Sequence, residues 1–131
     1  MPVHAVIPFK PQNPKTRLSS VLNRSERERF AEAMLQDVIQ AVLDGGCEPT
    51  LLVTHPFRGY AGVPVIVDPG DLNEALNRLF QTATAPLLVI MSDLPLATAE
   101  SVRRLIASPA DIAFVPGRGG GTNAIFVRRP Q

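Results

Sequence analysis

The stretch LLVIM, residues 87–91, decides the fold class because five consecutive apolar residues leave no polar side that could face water. A strand that alternates polar and apolar residues has one exposed face. An uninterrupted apolar run is instead typical of a strand that is covered by helices on both faces of the sheet. The stretch therefore predicts a central strand of an α/β protein.

The segments on either side of LLVIM alternate between strand and helix patterns. Short apolar runs bounded by turn residues predict strands, and apolar residues at helical spacing predict helices. The predicted strands are 3–7, 50–54, 63–67, 87–91, 111–115 and 124–127, and the predicted helices are 26–44, 72–80 and 98–107. The order β-α-β-β-α-β-α-β-β predicts a three-layer α/β/α sandwich with a mostly parallel sheet.

Local signals set the predicted ends of the first two helices. Ser25, followed three residues later by Glu28, has the form of a capping box, and Gly45 with Gly46 should end that helix. Asp71 precedes the second apolar pattern as a cap residue.

Length and composition restrict the classes of protein. With 131 residues, 45% of them hydrophobic, the chain should form one domain with a real core. A net charge of +1 argues against a nucleic-acid binder held by bulk charge. The single cysteine, Cys47, cannot form an internal disulfide. The N-terminus lacks a signal-peptide pattern and the longest apolar run, 85–91, is too short for a membrane span, so we expect a cytoplasmic protein.

A basic loop, residues 8–19, follows the first predicted strand and contains Lys10, Lys15 and Arg17. Ligands of open α/β sheets bind beyond the carboxyl ends of the strands, and lysine and arginine both stabilise phosphate oxygens. The loop is therefore a candidate polyphosphate site. From composition alone, a solvated surface loop is an equally good interpretation.

Asp93 lies two residues beyond the predicted central strand, in the sequence MSDLPL, 91–96. Mg²⁺ binds one or two carboxylates together with substrate phosphates, so Asp93 is a candidate metal ligand. The alternative is that Asp93 hydrogen-bonds locally in a turn.

Two further segments contain candidate binding residues. Asn73 and Asn77 lie one turn apart near the start of the second helix, and Asn73 could contact a base or a ribose. The run 119–121 is all glycine, so its N–H groups can approach an anion closely, and Thr122 and Asn123 add side-chain donors. A hairpin loop would have the same glycine composition.

The stretches IPFKPQNPKTRLS, RERFAEAML, DLNEALN, MSDLPL and PGRGGGTNA, taken in this order, resemble the 2-phospho-L-lactate guanylyltransferase family of coenzyme F-420 biosynthesis. The resemblance covers essentially the whole chain. It implies a fold similar to the GT-A-like nucleotidyltransferases, and an enzyme that transfers GMP from GTP to a phosphorylated three-carbon acid with release of pyrophosphate. The acid would be 2-phospho-L-lactate or phosphoenolpyruvate.

The resemblance also implies roles for individual residues. Lys10, Lys15 and Arg17 would face the triphosphate, and Asn73 the nucleoside. Asp93 would hold Mg²⁺. Gly120, Gly121, Thr122 and Asn123 would bind the acceptor acid.

The family pattern extends beyond this chain, because similar proteins continue for several dozen residues after the glycine run. We therefore expect a single nucleotidyltransferase-like domain, 1–131, that is incomplete at its C-terminal end. The apolar run 124–127 would then form an exposed sheet edge, through which the chain could form a homodimer.

Two other functions remain open. One is a non-catalytic nucleotide-binding or assembly module. The other is a sugar-phosphate or molybdopterin nucleotidyltransferase of the same architecture, which ranks lower because the Gly-rich first loop of those enzymes is absent.

Overall fold

Strands and helices follow one another in the predicted order in the computed structural model, which describes residues 3–11, 20–83, 85–92, 99–107, 112–116 and 122–128. Within those residues the strands are β1 Val3–Phe9, β2 Cys47–Val53, β3 Val65–Val67, β4 Leu87–Ile90, β5 Ile112–Pro116 and β6 Thr122–Val127. The helices are α1 Arg24–Asp44, α2 Leu72–Thr82 and α3 Ala99–Ile106.

The strands form one sheet in the order β3-β2-β1-β4-β6-β5. The first four strands of the chain are parallel to one another, and β6 is antiparallel to both β4 and β5. The prediction of a mostly parallel sheet is therefore confirmed. β4, which contains most of the LLVIM stretch, lies inside the sheet between β1 and β6, and all four of its residues are buried.

Helices α1 and α3 cover one face of the sheet. The apolar residues of this layer form the larger core cluster, in which alternate strand residues meet the buried side of α1. Its fully buried members include Ala5, Ile7, Leu35, Val38, Val42, Leu51, Leu88, Phe126 and Val102. Gly45, at the end of α1, lies so close to α3 that a Cβ there would come within 2.7 Å of Val102 Cγ1. Glycine is therefore required for the contact between the two helices.

Helix α2 covers the opposite face, which has a smaller core cluster. Val6, Leu52, Leu87 and Val89 from the sheet pack with Ala75 of α2, and Leu76, Leu79 and Phe80 extend the contact. Because successive strand residues point to opposite faces, neighbours such as Leu87 and Leu88 enter different clusters. This arrangement explains why LLVIM contains no polar residue.

Helix α1 begins two residues earlier than predicted, and its capping residue is different. Asn23, rather than Ser25, is the N-cap: its Oδ1 accepts a hydrogen bond from the Glu26 amide at 2.8 Å, and Glu26 Oε1 accepts one from the Asn23 amide at 2.9 Å. Ser25 and Glu28 have the same spacing as this pair, so the capping-box pattern fits two registers. The predicted end at Asp44, with Gly45 as C-cap, is confirmed.

The strand boundaries also differ from the predictions. β1 continues through Pro8 to Phe9, because its pairing with β4 ends at Val6 and beyond that point Pro8 has only β2 as a neighbour. A proline without an N–H can be accommodated in a strand that has lost one partner.

The predicted exposed edge at 124–127 was wrong. β6 begins at Thr122 and pairs on both sides, with β4 and with β5. The edge strand on this side of the sheet is β5, in which Ile112 is 58% exposed.

None of the helices in the described part of the chain is long and apolar enough to cross a bilayer.

Replacing the buried Leu88 by alanine should destabilise the protein by about 2–5 kcal/mol, because both the transfer free energy of the side chain and the packing around it are lost. The free energy of unfolding in urea measures this loss. Leu43→Ala is the matched control, since the same change is made at a position on α1 that is 47% exposed. We expect its effect to stay within about 0.5 kcal/mol. Equal effects of the two substitutions would contradict the central position of β4.

Candidate functional site

The strand order reverses direction at β1. From β1 the chain moves outward to β2 and then β3, and it returns to the other side of β1 to form β4. In an open α/β sheet, ligands bind at such a switch point, in the crevice outside the carboxyl ends of the strands. We call the edge at which β1, β2, β3 and β4 end the carboxyl edge. The gap between the ends of β1 and β4 is the candidate site.

The ends of β1 and β4 lie at different heights on the carboxyl edge. Val6 is opposite Val89, so β1 runs three residues beyond this pair and β4 only one. At the rise of a parallel strand, the end of β1 therefore projects roughly 7 Å further. Lys10 follows β1 directly and is exposed, and Ser92 lies half-buried beyond β4. An extended anion that lies across the two strand ends would meet the positive charge of Lys10 at the projecting end of β1.

The start of β6 reaches the same edge from the other direction. Ala124 is opposite Ile90, the last residue of β4, so Asn123 and Thr122 lie beyond the end of β4. Val115 pairs with Ala124, but the next residue, Pro116, pairs with Thr122. Asn123 is thus an extra residue in β6, which forms a β-bulge, a feature that is frequent next to active sites.

The start of α2 is fixed to the carboxyl edge by Asp68, which lies between β3 and α2. The Asp68 amide donates to the Val53 carbonyl at 2.8 Å, and Asp68 Oδ1 accepts from the Gly70 amide at 3.0 Å. Arg78 of α2 donates to the other carboxylate oxygen. The Gly70 hydrogen bond first, and then Arg78, hold the pKa of Asp68 below its ordinary value. These contacts place the first turn of α2, with Asn73, at the edge.

Aromatic residues of the loop 54–64 support the end of β1. The Phe9 and Phe57 ring centroids are 5.1 Å apart, and the Tyr60 ring stands edge-on to Phe57 at 6.0 Å. Arg58 binds Glu32 of α1 at 2.7 Å, which ties the loop to the helix. Burial raises the pKa of the Tyr60 hydroxyl. This support was not predicted from the sequence. Its only trace there is a pair of aromatic residues, Phe57 and Tyr60, in a loop that follows a strand.

The structure brings together part of the predicted site. Lys10 and the backbone of Asn73, Thr122 and Asn123 lie at the carboxyl edge. Thr122 and Asn123 were predicted to belong to the glycine loop before the strand 124–127, but both are residues of β6. The remaining predicted residues lie outside the described part of the chain: Lys15, Arg17, Asp93, Gly120 and Gly121.

A metal site built only from side chains of the described ranges would need several ligands close together. No cluster of three or more histidine, cysteine, aspartate or glutamate residues occurs there. The Asp68 carboxylate accepts a hydrogen bond from the Gly70 amide and pairs with Arg78. These contacts stabilise the turn before α2, which agrees with the turn role predicted for Asp68. Ser92 ends the described segment after β4, and Asp93 is the next residue in the sequence.

Known proteins resemble the chain along its length. Residues 3–131 match a family model described as "Guanylyl transferase CofC like". The 2-phospho-L-lactate guanylyltransferase of Methanoculleus marisnigri is 53% identical over 128 residues, covering 98% of this chain and 59% of the relative. The protein of the same name from Methanocorpusculum labreanum is 54% identical, with coverages of 98% and 60%. The chain thus spans about three fifths of the length of these curated relatives.

A solved structure shares the fold at low sequence identity. A protein of Desulfovibrio desulfuricans G20, described as a candidate nucleotide-diphospho-sugar transferase, superposes with a TM-score of 0.78 at 18% identity. The match covers 98% of this chain and 64% of that protein. The likeness agrees with the predicted GT-A-like nucleotidyltransferase fold.

The substitution Asp68→Asn should destabilise the protein in a pH-dependent way. A carboxylate whose pKa is lowered on folding stabilises the folded state above its unfolded pKa, about 3.9, and loses this contribution as the pH falls through its folded value. We therefore expect the variant to be less stable at pH 7, and the difference from the parent to shrink below about pH 4. Denaturant unfolding at both pH values measures the difference.

Arg78→Gln is the companion variant, because it removes the ion pair and leaves the Gly70 hydrogen bond. Its effect at pH 7 should be smaller than that of Asp68→Asn. A stability difference for Asp68→Asn that does not change with pH would refute the role of the ionised carboxylate.

Proposed function

Because the chain belongs to the guanylyl transferase CofC-like family, we propose that it contains the nucleotide site of an enzyme that transfers GMP from GTP to a phosphorylated three-carbon acid. The acid is 2-phospho-L-lactate, the substrate in the names of the relatives, or phosphoenolpyruvate. The observation that carries the proposal is the convergence of β1, β4 and the start of β6 at the switch point of the sheet.

The reaction requires two anions to approach each other. A phosphate oxygen of the acceptor attacks the α-phosphorus of GTP, a new P–O–P linkage forms, and the bond to the β-phosphate breaks to release pyrophosphate. The acceptor oxygen is already ionised, so the protein needs no general base. Its main tasks are to align the reactants and to stabilise the charge on the leaving pyrophosphate.

The basic loop is suited to the second task. Lys10 lies on the projecting end of β1, and the chain continues from there to Lys15 and Arg17. Lysine offers a compact charge and arginine a planar fork, and both bind phosphate oxygens. We propose that these three side chains bind the β- and γ-phosphates of GTP. Their charge would offset that of the leaving group.

Asp93 is the proposed ligand of Mg²⁺. A single carboxylate beyond a strand end, next to substrate phosphates, is the kind of site that this cation prefers. Bound there, Mg²⁺ would neutralise phosphate charge. Support for this role comes from β4: Ile90 is its last residue at the carboxyl edge, and Asp93 follows Ile90 by three residues in the sequence.

The two substrates would enter from different sides of the gap. Asn73, in the first turn of α2, is proposed to contact the nucleoside. Gly120, Gly121, Thr122 and Asn123 are proposed to bind the acceptor, because the last two lie where β6 passes the end of β4. The bulge at Asn123 interrupts the regular pairing there, and a backbone N–H group without a strand partner can donate to an anion.

Substitution of Asp93 by asparagine should lower the rate of pyrophosphate release from GTP and acceptor by about 100-fold, as expected when one preorganised electrostatic contact is lost. The parent assay uses Mg²⁺, each of the four common ribonucleoside triphosphates, and either 2-phospholactate or phosphoenolpyruvate. GTP should give the fastest release, and only with an acceptor present. Removal of Mg²⁺ with a chelator should have an effect comparable to that of the substitution.

Asp37→Asn is the control, because it makes the same chemical change at an exposed position in the middle of α1. It should leave both binding and turnover unchanged. Calorimetric titration with Mg²⁺-GTP separates the alternatives. Binding without turnover would favour a non-catalytic nucleotide-binding module, and an absence of binding by the parent chain would refute the proposal.

A further inference from the structure

The end of β2 lies between the two parts of the proposed nucleotide site. In the sheet order β3-β2-β1-β4, the gap proposed for the triphosphate is bounded by β1 and β4, and the first turn of α2, proposed for the nucleoside, follows β3. β2 separates these two regions, and neighbouring strands lie about 4.8 Å apart. A nucleotide that reaches from one region to the other would therefore pass the end of β2.

Two polar residues follow the last residue of β2. Val53 is paired with Phe9, the last residue of β1, so β1 and β2 end at the same height. The chain continues from these ends with Lys10 after β1, and with Thr54 and His55 after β2. Thr54 is half-buried and His55 is exposed. The two residues after β2 therefore lie at the carboxyl edge, one strand away from Lys10.

The hydroxyl of Thr54 orients the imidazole ring of His55. Thr54 Oγ1 and His55 Nδ1 are 3.0 Å apart, and the tautomer of the ring decides which of the two atoms donates the hydrogen bond. Within the described part of the chain, the second ring nitrogen, Nε2, has no hydrogen-bond partner. The exposed ring therefore offers Nε2 as a donor or an acceptor to a ligand at the edge.

The backbone is fixed on both sides of His55. Before it, the Val53 carbonyl accepts a hydrogen bond from the Asp68 amide at 2.8 Å. After it, Pro56 restricts the backbone conformation of the preceding residue, and Phe57 packs against the last residue of β1. Because the segment is held at both ends, the ring has little conformational freedom to lose when it binds a ligand.

The ribose is the part of a nucleoside triphosphate that fits this position. It joins the base to the α-phosphate, so it lies between the two regions when the phosphates are at the gap and the base is at the start of α2. A ribose hydroxyl can both donate and accept a hydrogen bond, and it is therefore a suitable partner for Nε2 in either tautomer of the ring.

We propose that His55 binds a ribose hydroxyl of the nucleotide through Nε2, and that Thr54 is the positioning residue that orients the ring. The inference rests on the proposed function, which supplies the places of the triphosphate and of the base. It adds a contact through which the protein distinguishes a ribonucleotide from a nucleotide that lacks the ribose hydroxyls.

The test uses His55→Ala, His55→Gln and Thr54→Val, with His4→Ala as the matched control. His4 is also an exposed histidine, but it lies at the beginning of β1, at the opposite edge of the sheet. Each protein is titrated calorimetrically with Mg²⁺-GTP, with the Mg²⁺ complex of 2′,3′-dideoxyguanosine triphosphate, and with Mg²⁺-tripolyphosphate. The second ligand lacks both ribose hydroxyls, and the third lacks the whole nucleoside.

The parent chain should bind GTP about fivefold more tightly than the dideoxy nucleotide, which is the effect of one net hydrogen bond. His55→Ala should weaken GTP by this factor and leave the other two ligands unchanged, so that the preference disappears. His55→Gln should retain part of the preference, because its side-chain amide can also donate or accept. Thr54→Val should reduce the preference, because the ring loses the hydrogen bond that orients it. His4→Ala should match the parent.

An unchanged preference for GTP in His55→Ala would overturn the inference and leave the proposed function intact. Equal losses for GTP and the dideoxy nucleotide would overturn it as well, because the ring would then contact another part of the nucleotide. If His55→Ala fails to fold, as judged by its thermal transition, His55→Gln and Thr54→Val decide by the same preference. A parent chain that binds none of the three ligands would refute the proposed function and the inference with it.

Discussion

The reversal of strand order at β1 is the constraint on which the arrangement of the site depends. Parallel strands are joined by crossovers that bring every strand back in the same direction, so all their carboxyl ends lie on one edge. Because the chain forms β2 and β3 on one side of β1 and returns to form β4 on the other, β1 and β4 are neighbours at a switch point, where open α/β sheets bind ligands beyond the carboxyl ends of the strands. The core provides the rigidity of these two strands: Val6 and Val89 face α2, and Ile7 and Ile90 face α1 and α3.

Three arginines show how the protein uses hydrogen bonds to backbone carbonyls at helix ends. Arg103 donates to the Asp44 carbonyl at the end of α1 at 3.1 Å, and Arg128 to the Ile106 carbonyl at the end of α3 at 2.9 Å. Both cations lie at the negative ends of helices, where the dipole favours them. Arg27, in the first turns of α1, makes the same kind of bond at the positive end of a helix, to the Leu22 carbonyl at 3.0 Å. The hydrogen bond to a carbonyl, rather than the helix dipole, is therefore what the three contacts share.

The fold was predictable from the sequence because hydrophobic periodicity and turn residues are local signals. The order of the elements, the buried central strand and the end of α1 at Asp44 all followed from short stretches. The errors concern boundaries, where competing local signals are nearly equal. Asn23–Glu26 and Ser25–Glu28 are both capping pairs by spacing, and the helix begins at the first of them. Pro8 marks a strand end in the sequence, but it lies inside β1 because β4 is short.

Less of the candidate site than of the fold could be predicted from the sequence. A polar residue directly after a strand can be recognised from the sequence, and a parallel strand then brings it to the carboxyl edge, as β1 does for Lys10. The residues that hold such a position could not be found in this way. Glu32 and Arg58, whose ion pair ties the loop 54–64 to α1, are 26 residues apart. Contacts of this kind depend on how helices, strands and loops pack against one another. A sequence motif can therefore suggest which residues contact a ligand, but it does not reveal the residues that hold those side chains in position.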